Sequence, residues 1–290
     1  MVAVTITRDE VIKRSQALSS FPRFIVDILA ELDDPEGSLT VLAGCVMRDP
    51  IITARVLSVA NTASARGRRM SEVNDVYTAI SLIGMSQVRK ITLVSCLGAF
   101  VDGIAVPSMP TTFWQHCVSV GVCCEELALH IEAPVSSDAA LVAGLLHDIG
   151  QLWFFSYNAE AYRQCWQHAL SSAISIEVVE REHFGVDHST VGAWLAQHWS
   201  LPSGIVAAIQ GHHAPDAALD GTLVPLVHVA EVLCNALDLG NRSENRVTSI
   251  SSAACRQLDL VWDEKMRPLF GRIEARSRHA NDFFAHPPKS

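Results

Sequence analysis

Residues 139–146, AALVAGLL, carry no polar side chain on any face, and a His-Asp pair follows at once at 147–148. Coiled as a helix, such a stretch has no side to give to water, so other elements of its own domain must surround it. It is far shorter than the roughly 18 to 20 residues that span a bilayer, so the burial it needs is burial in protein. The segment before it offers a matching surface. Phe113, Cys117, Val120, Cys124, Leu127 and Ile131 step by four and three residues in turn, a single buried stripe with His116 on its flank. Almost every other apolar pattern has the same helical period, and Gly and Pro fall between the patterns. The chain is therefore expected to be all-α.

Capping signals divide the sequence further. Thr7-x-x-Glu10 reads as a capping box for a first helix, and Asp49-Pro50 opens another. Ser71 is expected to start the next and Gly84 to close it, with Ser86 capping a helix that runs to about Val101. The stretch 102–112, DGIAVPSMPTT, is the best boundary. The expected division is a helical bundle over 1–105, a second helical domain over 106–240 and a helical extension over 241–290. In the second domain Asp138 is expected to cap the all-apolar helix and Gly150 to end it. Helices near 158–172, 174–183, His188–Trp199, Ser203–His212 and Leu223–Leu239 follow. The extension reads as two helices with a kink or break at Pro268.

With 49% apolar and 18% charged residues and a mean hydropathy of +0.23, a disordered chain is excluded. The N-terminus has no secretory pattern, and a cytosolic protein without membrane contact is expected. Charge is uneven: residues 1–110 balance, 241–290 carry +3, and 111–240 hold 2 basic against 14 acidic residues, with no lysine and only Arg163 and Arg181. Such a segment repels polyanions, so direct nucleic-acid binding is not expected unless a metal ion supplies positive charge. Arg66, Arg68 and Arg69 read as a solvated loop. The 8 cysteines include no C-x-x-C and sit in apolar helical stretches, so they read as reduced core residues, with Cys123 and Cys124 the one pair of interest.

Of 12 histidines, ten lie between residues 116 and 228. His147 and Asp148 end the most apolar helix, where an imidazole and a carboxylate are costly unless paired or ligated. His116 lies one helix upstream, His188 opens a later helix, His212 and His213 end another, and Glu231 lies on the next, facing at least partly inward with Val227 and Cys234. Five imidazoles and two carboxylates from separate helices form a ligand set for one or two borderline divalent ions such as Fe, Mn, Ni or Zn. His183 and His198 read as surface or packing residues, and His228 could pair with Glu231 in a purely structural role.

The segments FWQHC, GLLHDIG, DHSTVG, WSLP and HHAP resemble the HD superfamily of metal-dependent phosphohydrolases. With SSFPRF near the start, then RDPIITARVLSVAN and AISLIGMSQVRKITL, the order of motifs over about residues 15–240 resembles the HDOD branch, the HD-related output domain of bacterial signalling proteins. The resemblance implies an N-terminal helical bundle packed on an HD-like helical domain. It also implies an output function exerted through signalling proteins of receiver, kinase or cyclase type. His116, His147, Asp148, His188, His212 and His213 match ligand positions of the superfamily. Two positions depart from it: Glu231 stands where the closing aspartate falls, and Gln151 where active members carry a lysine that can stabilise phosphoryl charge.

Three readings follow. In the first the chain is a non-catalytic signalling module whose metal holds the fold. In the second it is a phosphohydrolase acting on a nucleotide or cyclic dinucleotide, with Asp148 bridging two ions. In the third the histidine cluster is hydrogen-bonded and metal-free.

Overall fold

The structure is a computed structural model that describes residues 5–15, 39–47, 50–66, 73–89, 91–92, 95, 110–131, 134–217, 221–239 and 249–285. The described residues are helical, with no strand among them, so the all-α expectation holds. The chain forms two compact units, residues 21–104 and residues 1–20 together with 105–290. The expected caps at Asp49 and Ser71, the basic run at 66–69, SSFPRF, most of the 102–112 linker, Cys45 and Cys96 lie outside the described features.

The first helix, α1 (Arg8–Ser15), opens on the anticipated Thr7, whose hydroxyl accepts the Glu10 amide hydrogen at 3.4 Å. Although it precedes the 21–104 unit in sequence, α1 packs against helices of the other unit, more than 170 residues away in the case of its main partner. Within 21–104, α2 (Leu39–Met47), α3 (Pro50–Arg66) and α4 (Val76–Ile83) bury Leu42, Val46, Ile52, Val56, Val76 and Ile80. Asn61 clamps their connection, accepting the Val73 amide hydrogen and donating to the Leu57 and Val73 carbonyls. Helix α4 starts at Val76, later than expected from Ser71, because the Asp75 carboxylate accepts the Thr78 amide at 2.8 Å. Gly84, at φ +85, ends it, and a further helical run starts at residue 85, so Ser86 lies within that run.

In the larger unit, α5 (Thr111–His130) and α6 (Ser137–Leu146) pack along their length. A glycine on each side permits the approach: a Cβ on Gly144 would lie 2.7 Å from the Cα of Gly121 and 2.8 Å from the Val120 carbonyl. Every residue of α6 from Asp138 to Gly144 is buried, which bears out its central position. Its cap is Ser136, which accepts the Asp138 amide, and Asp138 itself sits in the first turn. The helix ends at His147. Asp148 is non-helical (φ −98, ψ 12), and α7 (Ile149–Ser172) starts at once, with a second break at Asn158.

Gly150 therefore opens a helix instead of closing one. Its lack of a side chain serves clearance, since a Cβ would land on the His188 carbonyl oxygen and 2.8 Å from the Gly192 nitrogen. Helices α8 (Ile176–Phe184), α9 (His188–His198), α10 (Ser203–Gly211) and α11 (Leu223–Ala236) follow the expected order, α11 stopping three residues early. By length and hydropathy Ser137–Ser172 would cross a membrane, but it consists of separate helices meeting at Asp148, and 89% of its most apolar window is buried in the protein.

The C-terminal part adds α12 (Ser252–Gln257) and α13 (Arg267–Ala285). Pro268 is the second residue of α13, where its missing amide hydrogen costs nothing, and no kink forms there. Helix α13 lies on α5, burying Leu269 and Ile273, while Arg272 and Arg276 hold the carboxylates of Glu125 and Glu126 at 2.5–2.9 Å. The sequence boundary at 240 thus separates segments that share one core. The six described cysteines are buried and form no disulfide with one another.

Candidate metal centre

The break between α6 and α7 is the origin of the site. It turns Asp148 away from the helix axis, and close packing of Gly150 on the first turn of α9 brings His188 to it. Asp148 Oδ1 lies 3.2 Å from His188 Nε2 and 3.8 Å from His212 Nε2, and Oδ2 lies 3.4 Å from His147 Nε2 and 3.8 Å from His116 Nε2. The seven anticipated residues all come together, in two adjoining sets. Asp148, His188, His212 and His213 offer ligand atoms within 4.8 Å of one another, as do His116, His147 and Glu231. His116, His147, Asp148, His188 and His212 are buried, while His213 and Glu231 are partly exposed and mark where the site reaches solvent.

Hydrogen bonds fix which ring nitrogens face inward. His147 Nδ1 lies 2.7 Å from the Gly144 carbonyl and His212 Nδ1 2.7 Å from the Ile209 carbonyl. A carbonyl only accepts, so both Nδ1 atoms carry a proton, and in the neutral ring Nε2 is left with a bare lone pair. Those two buried Nε2 atoms have no hydrogen-bond partner and face Asp148. Burial, reinforced by His213, His147 and His188, drives the His212 pKa well below the ordinary histidine value, which keeps that ring neutral.

His188 is the opposite case. Burial alone would lower its pKa, but Glu180 and Asp148 on either side hold it well above the usual value. Its Nδ1 donates to Glu180 Oε2 at 2.7 Å and its Nε2 lies 2.8 Å from His213 Nε2. Glu180 is fully buried and also accepts from the His188 amide at 2.8 Å and the Tyr162 hydroxyl at 2.6 Å. That environment raises the Tyr162 pKa well above the phenol value, through burial first and then Glu180, while the Trp166 side chain hydrogen-bonds the same hydroxyl. Glu177, near His213, is held below the usual carboxylate range by that histidine despite burial.

Asp187 caps α9 through the Thr190 amide at 2.9 Å and pairs with Arg181. Burial would raise its pKa, but Thr190, Arg181 and Ser189 bring it down to about 2.

Glu180 is the residue that sequence reasoning missed. Its signal was its place on the buried stripe of α8, four residues after Ile176 and four before Phe184. His228 keeps the structural role anticipated for it, with other partners. It donates from Nδ1 to the His212 carbonyl at 2.8 Å and accepts the Ser251 amide on Nε2 at 3.0 Å, so it tethers α12 to the end of α10 rather than pairing with Glu231. His183 packs on Phe184 and His198 is exposed, as expected.

Residues 18–215 of this chain match the HDOD domain family. The chain belongs to that family. Its structure is similar to that of an HDOD domain protein of unknown function from Geobacter sulfurreducens, with a TM-score of 0.71 and 20% identity over 96% of this chain and 97% of that one. A protein from Marinobacter aquaeolei VT8, provisionally assigned to signal transduction, superposes with a TM-score of 0.73 and 20% identity over 99% of this chain and 63% of that one. One from Shewanella amazonensis SB2B, provisionally assigned as a phosphohydrolase, gives 0.62 and 22% over 94% and 96%. At these identities the likeness is one of fold. In sequence, an uncharacterized protein of Treponema pallidum (strain Nichols) is 24% identical over 205 residues, which are 69% of this chain and 38% of that protein's length.

Proposed function

We propose that this chain is a signalling output module of HDOD type that acts through protein partners of receiver, kinase or cyclase type. In this reading His116, His147, Asp148, His188, His212, His213 and Glu231 hold one or two divalent ions (Fe, Mn, Ni or Zn). The observation that carries it is the pair of buried Nε2 lone pairs, on His147 and His212, fixed by backbone carbonyls and aimed at one carboxylate. Bare imidazole nitrogens held by a second hydrogen bond are the arrangement metal-binding histidines use. Glu180 orients His188 in the same way, and the donor set of nitrogens and carboxylates suits borderline dications. A bound ion would supply positive charge and Lewis acidity to a segment with almost no cations of its own.

The hydrolase reading draws on one feature, the position of Asp148 between the two ligand sets, as a carboxylate bridging two ions requires. Against it, Gln151 occupies the place of the expected lysine, and Arg181 is engaged by Asp187. Phosphoryl transfer depends on electrostatic positioning, which this pocket would have to draw from its ions alone.

Elemental analysis of the purified full chain, grown with added Fe and Mn, tests the centre. The expected result is at least one ion per chain, lost in His147→Ala and in His212→Ala. Sub-stoichiometric metal in the wild type would favour the hydrogen-bonded, metal-free cluster. Loaded protein is expected to release no product from phosphomonoesters, nucleotides or cyclic dinucleotides, and turnover abolished by His147→Ala would establish the hydrolase instead.

A further inference from the structure

The larger unit holds a second concavity, and none of the seven residues gathered at the centre lines it. It is a cavity of about 260 Å³ between the start of α5 and the helix α7. Its apolar walls are Phe113 and Phe155, both buried, with Trp166 and Leu170, both part-exposed. Among the described residues of the lining, Arg163 is the one that carries a charge. Its side chain is 46% exposed, and its link to Glu160 at 3.4 Å is a surface pair that holds it only weakly. Glu160 has a second partner, since Gln164 Nε2 donates to its other oxygen at 3.3 Å, so Arg163 can turn away without stranding a carboxylate. The only other cation in 111–240, Arg181, is engaged by Asp187.

We propose that this cavity binds an aromatic carboxylate, a monoanion with one ring on a short acyl chain. Three aromatic side chains and a leucine offer a ring both edge-to-face and stacked contacts. The planar guanidinium fork matches a carboxylate by two parallel hydrogen bonds. A dianion such as a phosphate monoester suits the place poorly: one guanidinium faces it, Glu160 stands beside that guanidinium, and the surrounding segment holds 14 acidic against 2 basic residues. The volume of about 260 Å³ lies just below the usual range for drug-sized ligands and fits a single ring with its chain. The inference goes beyond the output reading above, because it stands on the cavity and needs no metal.

Titration calorimetry on the full chain with phenylacetate, 3-phenylpropionate, indole-3-acetate, the amide of each acid, and phenyl phosphate tests it. The expected result is saturable one-to-one binding of at least one acid, with its amide about tenfold or more weaker, as the loss of a charge-assisted pair requires. Arg163→Ala is expected to bring that acid down to the level of its amide while leaving the amide unchanged. Leu170→Trp, which fills the space, is expected to remove acid and amide alike. Circular dichroism checks that both variants keep their fold, and Arg163→Ala, at an exposed position, decides the matter if the filled variant does not. Absence of binding by all three acids, equal binding of acid and amide, undiminished binding by Arg163→Ala, or tighter binding of phenyl phosphate would each overturn the proposal.

Discussion

Glu180→Ala is the most informative single substitution in this fold. The carboxylate accepts three hydrogen bonds in a fully buried setting: the Tyr162 hydroxyl at 2.6 Å, the His188 amide at 2.8 Å and His188 Nδ1 at 2.7 Å. Each buried donor left without an acceptor costs about 1–3 kcal/mol. The three share one cavity, so they will not add, and the loss of one partner from a buried ion pair, about 3–5 kcal/mol, bounds the total. For a unit of this size each kcal/mol moves the midpoint by roughly 2–4 °C, so metal-free Glu180→Ala should melt about 6–20 °C below wild type. Tyr162→Phe removes one donor together with its bond and should cost only about 1 kcal/mol. Differential scanning calorimetry after dialysis against chelator is the assay. A midpoint within 2 °C of wild type for Glu180→Ala would mean that water reaches this carboxylate and that the buried network is not a network.

Gly150→Ala places a methyl group against the His188 carbonyl and should cost about 1–3 kcal/mol in urea unfolding, with reduced metal content. Unchanged values would deny the tight approach of α7 to α9. The clamp on Glu126 makes a pH prediction. Burial opposes ionisation there, but Arg276 and Arg272 bring its pKa below the usual value, so the stabilisation is present above the ordinary carboxylate range and disappears as pH falls through the lowered folded value. The melting difference between wild type and Glu126→Gln should therefore be largest near pH 7 and shrink below about pH 4, and a difference independent of pH would refute the ion-pair account. His228→Ala should speed amide hydrogen exchange at Ser251 and along α12 while leaving α5 unaffected, as read by mass spectrometry; equal protection would show that α12 does not depend on that ring.

The inner residues of the cluster were legible because polar residues in all-apolar surroundings are conspicuous: His147 and Asp148 break an otherwise featureless helix, and His116 flanks a clean stripe. Glu180 was harder to single out, because α8 also carries Glu177 and Glu182, and its spacing from Ile176 and Phe184 does not by itself say that it meets Tyr162. Local chemistry misled where two signals compete. Ser136 and Asp138 are both capping residues two positions apart, and the choice falls to the serine because its oxygen reaches the Asp138 amide. Gly150 reads as a helix stop in one dimension, but the requirement it answers comes from α9, which contributes nothing to the local sequence. The placement of α1 and α13 on the larger unit was likewise invisible, since periodicity reports that a face is buried and not against what.

That placement has a consequence for how the chain is made. The helix at 8–15 rests on the one at 188–198, and the Ile6 amide donates to the Phe184 carbonyl. During synthesis the N-terminal helix therefore has no native surface to settle on until some 180 further residues have emerged, whereas the contacts within 21–104 are local and available much sooner. A helix translated before the 21–104 unit is thus among the last that can dock, and until then the apolar side chains of Ile6 and Val11 must be kept from other partners.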